Sequence, residues 1–430
     1  MEKQSALVLP IFELVLCLAR AVDLVSPLVA NHHRRTAQIA YGLGMQMKLP
    51  DEKIRELVIA AALHDVGGLT RRERLLTLDF EYQNPYGHAV LGYLLLKTFE
   101  PFRRVAEIVR FHHVPWENGQ GKMFAGQPVP LHSHLLQLAD RVAVLINPDI
   151  DILAQVEDIL SKIRVQSRER FMPEQVQTLE LLAEKESFWL DTIHLSSLDS
   201  LSRRLTWPDL SIDDEEFLGL SNLFRRIIDF RSPFTAFHSA GVAASSEILA
   251  HLCGFSKTEC RTIHLAGLLH DLGKLAVPAE VLEKPEKLTN DEFTIMRRHT
   301  YYTYYLLEPL NIMDVIRVWG SFHHERLDGQ GYPFHLDRSE LPRGSRIVAV
   351  ADMFTALTED RPYRKGMPVQ DAMKILQDAV VGERIDKEIF TVLVDNLEKV
   401  NQARSQAQLR ATKEYQDFLN QAAELTSLGT

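Results

Sequence analysis

Two short stretches decide how this chain folds: AALHDVGGL at residues 61–69 and GLLHDLGKL at residues 267–275. In each, a His-Asp pair ends an apolar run whose residues recur at three-and-four spacing, the pattern of a helix with one buried face. Similar apolar runs lie at residues 54–63, 90–96, 262–269 and 347–357. No run of alternating strand residues is convincing, so the sequence predicts an all-α protein.

Both stretches belong to an internal repeat. Histidines and aspartates recur in the same order in the two halves, at offsets of 206, 211 and 212 residues. The first set is His32, His64, Asp65, His88, His112, His113 and Asp140, and the second is His238, His270, Asp271, His299, His323, His324 and Asp352. This order predicts a tandem duplication of one helical domain. We expect domains at residues 1–195 and 219–430, joined by a linker at residues 196–218.

Composition and charge exclude several classes of protein. The chain of 430 residues is long enough for two domains, and its net charge of −10 argues against binding to a DNA or RNA polymer. The apolar stretch at residues 6–25 is interrupted by three charged residues, which favours a helix packed on a core over a membrane span. Cys17, Cys253 and Cys260 form no paired pattern, as expected for reduced thiols in a cytoplasmic protein.

The second histidine and aspartate set has the chemistry of a metal centre. Imidazole and carboxylate groups bind manganese, iron and zinc, and a carboxylate can bridge two ions. Five histidines and two aspartates are too many for one tetrahedral site but suit two octahedral ions that retain water. A lone histidine on an apolar helix is more often a core residue. Asp352, however, follows an apolar run, where a carboxylate is costly without a metal or cation.

Three longer motifs carry a family resemblance. The segments HDLGK at residues 270–274, HHERLDGQGYP at 323–333 and ADMFTALTEDRPYRKG at 351–366 resemble the HD-GYP phosphodiesterases of the HD superfamily, over about residues 231–395. The resemblance implies two tandem HD-type helical bundles and two divalent ions, usually iron or manganese. It also implies that His238, His270, Asp271 and Asp352 hold one ion, and that Asp271 bridges to a second held by His299, His323 and His324. A third ion needs a glutamate where this chain has Phe234.

The same resemblance implies a cyclic dinucleotide substrate, opened to a linear 5′-phosphorylated dinucleotide. We rank 3′,3′-cyclic GMP-AMP before cyclic di-GMP, although residue spacing does not distinguish the second base. Asp271 would hold the ions, and Lys274 would stabilise charge on the phosphate oxygens. Arg361 and Arg364 would grip the second phosphate, and Gly329, Gly331, Tyr332 and Pro333 would shape a loop near a base. The alternatives for these residues are a solvated lysine, a basic surface patch and a purely structural loop.

The first half retains all seven candidate ligands but lacks the residues assigned to substrate. Gly68 stands in place of the lysine, WENGQG at residues 116–121 stands where GYP would be, and no RPYR segment follows Asp140. Three interpretations remain open for this half: a domain that supports or regulates the second, a separate 5′-nucleotidase acting on the linear product, or histidines kept for packing. We favour the first.

Two other functions compete for the chain as a whole. A non-catalytic signalling scaffold is disfavoured by the complete second ligand set with Lys274. A nucleotidase acting on mononucleotides or alarmones is disfavoured by the GYP loop. The sequence leaves a homodimer open as the assembly.

Overall fold

The computed structural model describes residues 7–24, 31–68, 86–194, 197–212, 214–230, 237–310, 313–360 and 365–427. Within these residues the chain is almost wholly helical, which confirms the all-α prediction. The strands of the described part form two short antiparallel pairs, Leu7–Pro10 with Asp209–Ile212 and Met123–Phe124 with Gln127–Pro128. None of the described helices is both long and apolar enough to cross a bilayer.

The chain divides into two compact units. Residues 1–219 together with 419–430 form the first unit. Its α-helices are Ile11–Asp23, His32–Gln46, Asp51–Leu63, Tyr86–Leu96, Arg103–Arg110, Leu131–Leu145, Val156–Val165, Pro173–Ala183, Glu186–Ile193 and Ser197–Arg204. Short 3-10 turns cover Glu100–Phe102, Glu117–Lys122 and Leu153–Gln155.

Residues 220–418 form the second unit, and the helix Asp214–Asp229 contains the boundary between the two. The remaining α-helices are His238–Leu252, Lys257–Leu269, Ala279–Leu282, Asn290–Leu307, Asp314–Ser321, Arg343–Thr358, Val369–Val381, Lys387–Asp395 and Leu397–Ser427. A 3-10 turn at Leu272–Ala276 follows the second His-Asp pair.

The predicted duplication is visible in the lengths of the helices. Three pairs of corresponding helices have 15, 13 and 8 residues in both units: His32–Gln46 and His238–Leu252, Asp51–Leu63 and Lys257–Leu269, and Arg103–Arg110 and Asp314–Ser321. Each pair stands at the same place relative to the repeated histidines. The two units therefore build their ligand-bearing helices in the same way.

A glycine after each His-Asp pair lets two helices approach closely. A Cβ atom at Gly273 would lie 1.9 Å from the carbonyl oxygen of His299, and one at Gly67 would lie 2.1 Å from that of His88. Both distances are far inside van der Waals contact, so only glycine fits. The close approach brings the helix that carries His88 or His299 directly against the His-Asp turn.

The segment predicted as a linker is more structured than expected. Residues 196–218 contain the helix Ser197–Arg204 and the strand Asp209–Ile212, which pairs with Leu7–Pro10. The ring of Trp207 lies 4.7 Å from that of Phe12, so this segment packs against the start of the chain. The helix Ile11–Asp23 buries Leu14 and Leu18 completely, as expected for a helix packed on a core.

Candidate metal centre

The second unit brings all seven of its candidate ligands together. His238 begins its helix, and His270 and Asp271 directly follow the helix Lys257–Leu269. The other four come from three further elements: His299 from Asn290–Leu307, His323 and His324 from the turn after Asp314–Ser321, and Asp352 from Arg343–Thr358. Five separate parts of the unit thus converge on one point.

The two carboxylate oxygens of Asp271 face two different histidine groups. Its Oδ2 lies 3.2 Å from Nε2 of His270 and 3.9 Å from Nε2 of His238. Its Oδ1 lies 3.4 Å from Nε2 of His299 and 4.0 Å from Nε2 of His323. Asp352 belongs to the first group, because its Oδ1 is 3.1 Å from Nε2 of His238. Asp271 is therefore positioned as a bridge between two clusters.

Three of the histidines are held in the tautomer that metal binding requires. Each donates a hydrogen bond from Nδ1 to the carbonyl oxygen three residues earlier, at 2.6–2.8 Å: His270, His299 and His323. The Nε2 atom of each ring is then left with its lone pair facing the cluster.

Burial and charge fit a divalent ion at these clusters. Nε2 of His270 and Oδ1 of Asp271 are buried and have no hydrogen-bond partner among the described residues, an arrangement that costs about 1–3 kcal/mol per atom unless a ligand satisfies it. Burial lowers the pKa of His299 to about 3, so its imidazole is neutral. Burial raises the pKa of Asp271, but His270 and Lys274 more than offset it and hold that pKa well below its usual value. Neutral imidazole and ionised carboxylate are the forms that bind metal.

Lys274 lies at the edge of the cluster. Its Nζ is 2.5 Å from Oδ2 of Asp271, and its side chain is 21% exposed. A cation thus stands beside the proposed bridging carboxylate with one side open to solvent. Contact between Lys274 and a substrate phosphate remains a prediction.

Sequence reasoning missed the partner of His238. Nδ1 of His238 lies 2.9 and 3.0 Å from the two carboxylate oxygens of Glu359, a residue that is 3% exposed. Burial lowers the pKa of His238, but Glu359 and Asp352 outweigh it and raise that pKa to about 10, so an ion that binds at Nε2 would displace a proton. Glu359 lies in the segment TEDRPYR, which belongs to a motif used for the family resemblance. The sequence does not indicate that its carboxylate contacts His238.

The GYP loop is held by backbone contacts. A Cβ atom at Gly331 would lie 2.4 Å from Cα of Glu325, so this glycine is required by close packing within the loop. The buried carboxylate of Glu325 accepts hydrogen bonds from the amides of Phe334 and Leu336 at 2.6 and 3.1 Å. Gly331 thus has a structural role, and its contact with substrate remains a prediction.

A groove beside the second histidine group is rich in aromatic and basic side chains. The Tyr332 ring lies 5.0 Å from that of His324, and the Arg297 guanidinium lies 4.9 Å from the Tyr332 ring. The groove encloses about 310 Å³ and is lined by Thr294, Arg297, Arg298, Tyr301, Tyr302, Tyr332 and Pro333. Sequence reasoning found only the last two. The other five lie in one helix, Asn290–Leu307, whose surface near the ligands the sequence patterns did not indicate.

Three residues named in the sequence analysis, Phe234, Arg361 and Arg364, lie outside the described residues. On either side of the RPYR segment, the amide of Gly366 donates to Oδ1 of Asp360 at 2.8 Å. The roles of the two arginines remain predictions, as does the choice of two ions over three.

The first unit assembles its seven candidate ligands in a similar arrangement. Oδ2 of Asp65 lies 3.4 Å from Nε2 of His64 and 4.0 Å from Nε2 of His32, and its Oδ1 lies 3.3 Å from Nε2 of His88. His112 and His113 complete a group with His88, and Asp140 joins His32 and His64. The arrangement of Asp271 in the second unit is therefore repeated at Asp65.

An eighth histidine, missed by sequence reasoning, lies beside the first centre. His33 is fully buried; its Nδ1 is 2.5 Å from Oδ1 of Asp23, and its Nε2 is 3.9 Å from Oδ2 of Asp65. At the corresponding position of the second unit, Ser239 donates to Asp229 at 2.8 Å. The aspartate is thus repeated while its partner changes.

Comparisons with known proteins agree with this duplication. Residues 29–145 and residues 222–389 each match a family described as HD domain, whose members bind metal through such clusters. The chain is 31% identical over 403 residues to 3'3'-cGAMP-specific phosphodiesterase 1 of Vibrio cholerae, covering 90% of this chain and 91% of the relative. It is 27% identical to 3'3'-cGAMP-specific phosphodiesterase 3 of the same organism, covering 89% and 94%.

A solved structure shares the fold. The crystal structure of the cyclic GMP-AMP-specific phosphodiesterase V-cGAP3 of V. cholerae matches with a TM-score of 0.63 at 22% identity, covering 91% of this chain and 98% of that one. With two HD domains, the GYP loop beside the second histidine group and a relative above 30% identity along nearly the whole chain, this protein belongs to the HD-GYP family of cyclic dinucleotide phosphodiesterases, in the group with tandem HD domains.

Proposed function

We propose that the second unit hydrolyses 3′,3′-cyclic GMP-AMP to a linear 5′-phosphorylated dinucleotide. The observation that carries this proposal is the split of Asp271 between two histidine groups, with Oδ2 3.2 Å from His270 and Oδ1 3.4 Å from His299. Two divalent ions, iron or manganese, held by the seven ligands would supply an activated water and neutralise charge on phosphorus oxygens. Every ligand atom needed for such a pair is present, which supports two ions over one.

Lys274 is the residue best placed to bind the reacting phosphate. Its ammonium stands at the open edge of the cluster, beside Asp271. A fixed cation there would stabilise negative charge that develops on a non-bridging phosphate oxygen. Lys274 also pairs with Asp271, but it supplies no ligand atom to an ion, so its proposed role in the reaction is to bind the substrate phosphate.

The groove beside His324 supports a nucleotide as the substrate. A tyrosine face such as that of Tyr332 can stack on a purine, and the guanidinium of Arg297 over the same ring can meet a phosphate. Arg361 and Arg364 would hold the second phosphate, and Pro333 would border the base. A small mononucleotide would leave most of this surface uncovered.

The relatives favour cyclic GMP-AMP, because those that match along most of this chain are named for that substrate. Cyclic di-GMP is the second candidate, since some relatives that match a smaller part of this chain are named as cyclic di-GMP phosphodiesterases. The test is to incubate the manganese-loaded full chain with cyclic GMP-AMP, cyclic di-GMP and cyclic di-AMP and to separate the products. We expect the highest kcat/KM with cyclic GMP-AMP. Equal rates on all three substrates would contradict the proposed preference for cyclic GMP-AMP. Cleavage of none of them would contradict the proposed phosphodiesterase activity.

For the first unit we propose a domain that supports or regulates the second. A 5′-nucleotidase acting on the linear product is the second candidate, and the preserved split of Asp65 between two histidine groups favours it over histidines kept for packing. Replacing His64 and Asp65 with alanine distinguishes the supporting domain from the nucleotidase. Accumulation of the 5′-phosphorylated linear product in that variant alone would establish the nucleotidase.

Two further properties remain expectations. The three cysteines are free thiols, as expected of a protein in the cytoplasm. A homodimer is the assembly that we would test first, by size-exclusion chromatography with light scattering.

A further inference from the structure

His238 differs from three of the other candidate ligands in how its ring is held. His270, His299 and His323 each use a carbonyl oxygen of their own helical turn, whereas His238 is the first residue of its helix. Its partner comes from 121 residues further along the chain, where both oxygens of Glu359 lie within 3.0 Å of Nδ1. The orientation of this one ligand is therefore decided by tertiary structure.

Glu359 is in turn held by the C-terminal helix Leu397–Ser427. Nε2 of Gln408 donates to Oε2 of Glu359 at 3.1 Å. The amide of Gln408 is oriented by Arg404, whose Nη1 donates to Oε1 at 2.5 Å. Because arginine only donates, the amide oxygen must face Arg404 and the amide nitrogen must face Glu359. Gln408 is 9% exposed and Arg404 is 7% exposed, so both contacts are shielded from water.

The packing of the first turn after His238 makes room for this arrangement. A Cβ atom at Gly241 would lie 2.9 Å from Nε2 of Gln408, which is closer than real side chains approach. The absence of a side chain at Gly241 lets the C-terminal helix come close enough for Gln408 to reach Glu359. Residues from three helices thus meet behind one ligand.

The first unit has no equivalent of these contacts among its described residues. At the offset of 212 residues that relates Asp140 to Asp352, the position of Glu359 is occupied by Asn147. The side-chain oxygen of Asn147 accepts from the amide of Asp149 at 2.9 Å, within its own turn. The carboxylate behind the first histidine is therefore particular to the second unit.

We propose that Glu359 and Gln408 are positioning residues that fix the imidazole of His238 for metal binding, so that the helix beginning at Leu397 takes part in building the catalytic centre. A carboxylate behind a ligating histidine fixes its tautomer, aims its ring and makes it a better donor, and losing such a partner typically weakens metal affinity or activity about 10- to 100-fold. The helix starts after residue 389, where the match to the HD domain ends. The inference rests on metal binding at this centre as proposed above.

The test measures Mn²⁺ affinity directly, by the electron paramagnetic resonance signal of free Mn²⁺. The full chain carries His64→Ala and Asp65→Ala, so that ions bind only in the second unit. Into this parent we would introduce Glu359→Ala, Glu359→Gln and Gln408→Ala, with Gln406→Ala, an exposed position on the same helix, as the control. We expect Glu359→Ala to weaken Mn²⁺ binding about 10- to 100-fold. Glu359→Gln restores part of the affinity, Gln408→Ala has a smaller effect, and the control has none.

Turnover of cyclic GMP-AMP should show a fall in kcat with little change in KM, because no substrate contact is removed. Unchanged Mn²⁺ affinity in Glu359→Ala would overturn the inference, even if the melting temperature of the metal-free protein fell, because that pattern assigns Glu359 to folding alone. A parent that binds no Mn²⁺ would also overturn it. A parent that binds Mn²⁺ but cleaves no cyclic dinucleotide would contradict the proposed function and leave the affinity comparison decisive.

Discussion

The first and second centres differ most clearly at their last aspartate. In the first, Arg141 donates twice to Oδ2 of Asp140, at 2.9 and 2.7 Å. In the second, Met353 occupies the position of Arg141, and the neighbouring charge is the carboxylate of Glu359 behind His238. The first centre therefore has a cation at its last aspartate, whereas the second has its cation, Lys274, at Asp271 and an added carboxylate behind His238, although the candidate ligands are of the same types and in the same order.

The centres also differ in access. The side chain of Asp352 is 14% exposed and that of Asp140 is 1% exposed. Lys274 stands beside the candidate ligands of the second unit, at a position where the first unit has Gly68. The Tyr332 ring lies 5.0 Å from that of His324, whereas the corresponding loop of the first unit packs Trp116 against His134. The candidate metal ligands are thus present in both units, whereas Lys274 and the GYP loop, the candidate substrate contacts, are present in the second.

The largest effect should come from removing the bridging pair. His270→Ala with Asp271→Ala should lower cyclic GMP-AMP cleavage at least about 10³-fold, because both histidine groups lose their shared carboxylate. The matched variant, His64→Ala with Asp65→Ala, should leave this cleavage mostly intact. Initial rates and far-ultraviolet circular dichroism would be measured on both. Equal losses in the two variants would show that the centres act together in this reaction.

The next effect concerns Lys274. Lys274→Ala should lower kcat about 10²- to 10³-fold, as for the loss of one donor to a transition-state oxygen, while Mn²⁺ content stays near two ions per second unit. Rates and metal content on the same samples check this. Gly68→Lys should add no cyclic GMP-AMP cleavage to a chain lacking His270 and Asp271, because the first unit has no GYP loop. If metal loss accounts for the whole defect in Lys274→Ala, the phosphate role is wrong.

A smaller effect is expected in the GYP loop. Gly331→Ala places a Cβ atom 2.4 Å from Cα of Glu325, so the loop must shift and carry Tyr332 with it. We expect kcat/KM for cyclic GMP-AMP to fall about 10- to 100-fold, since misplacing a substrate contact by about 1 Å has effects of that size. Cleavage of bis-p-nitrophenyl phosphate, which has no base to stack, should change much less. Equal losses on both substrates would indicate that the metal cluster itself has been disturbed.

The smallest effect tests the charge difference between the centres. With His270 and Asp271 replaced by alanine, Mn²⁺ binds only to the first unit, and we expect weaker binding there than in the second. Arg141→Met removes a cation beside Asp140 and should tighten Mn²⁺ binding by ~1 kcal/mol, or about fivefold. Arg141→Lys keeps the charge and should not. If the Arg141→Lys and Arg141→Met variants bind Mn²⁺ with the same affinity, the charge of Arg141 does not weaken metal binding in the first unit.

The duplication and the helical class were predictable from the sequence, as were the candidate ligands that the structure brings together. These follow from patterns within the sequence. The spacing of apolar residues predicts helices, and histidines and aspartates that recur in the same order at nearly constant offsets indicate a duplication. Gly331, Tyr332 and Pro333 were also expected to form a loop, on the resemblance of residues 323–333 to the HD-GYP family.

The tertiary structure determines which of these groups come into contact. It paired Leu7–Pro10 with Asp209–Ile212 across about half the chain, where composition had suggested a linker. It placed Glu359 and Gln408 behind His238, and Arg297 over Tyr332. It also assigned each oxygen of Asp271 to its own histidine group. Such contacts join residues that are far apart in the chain, and they depend on how helices pack, which the spacing of residues within a single helix does not specify.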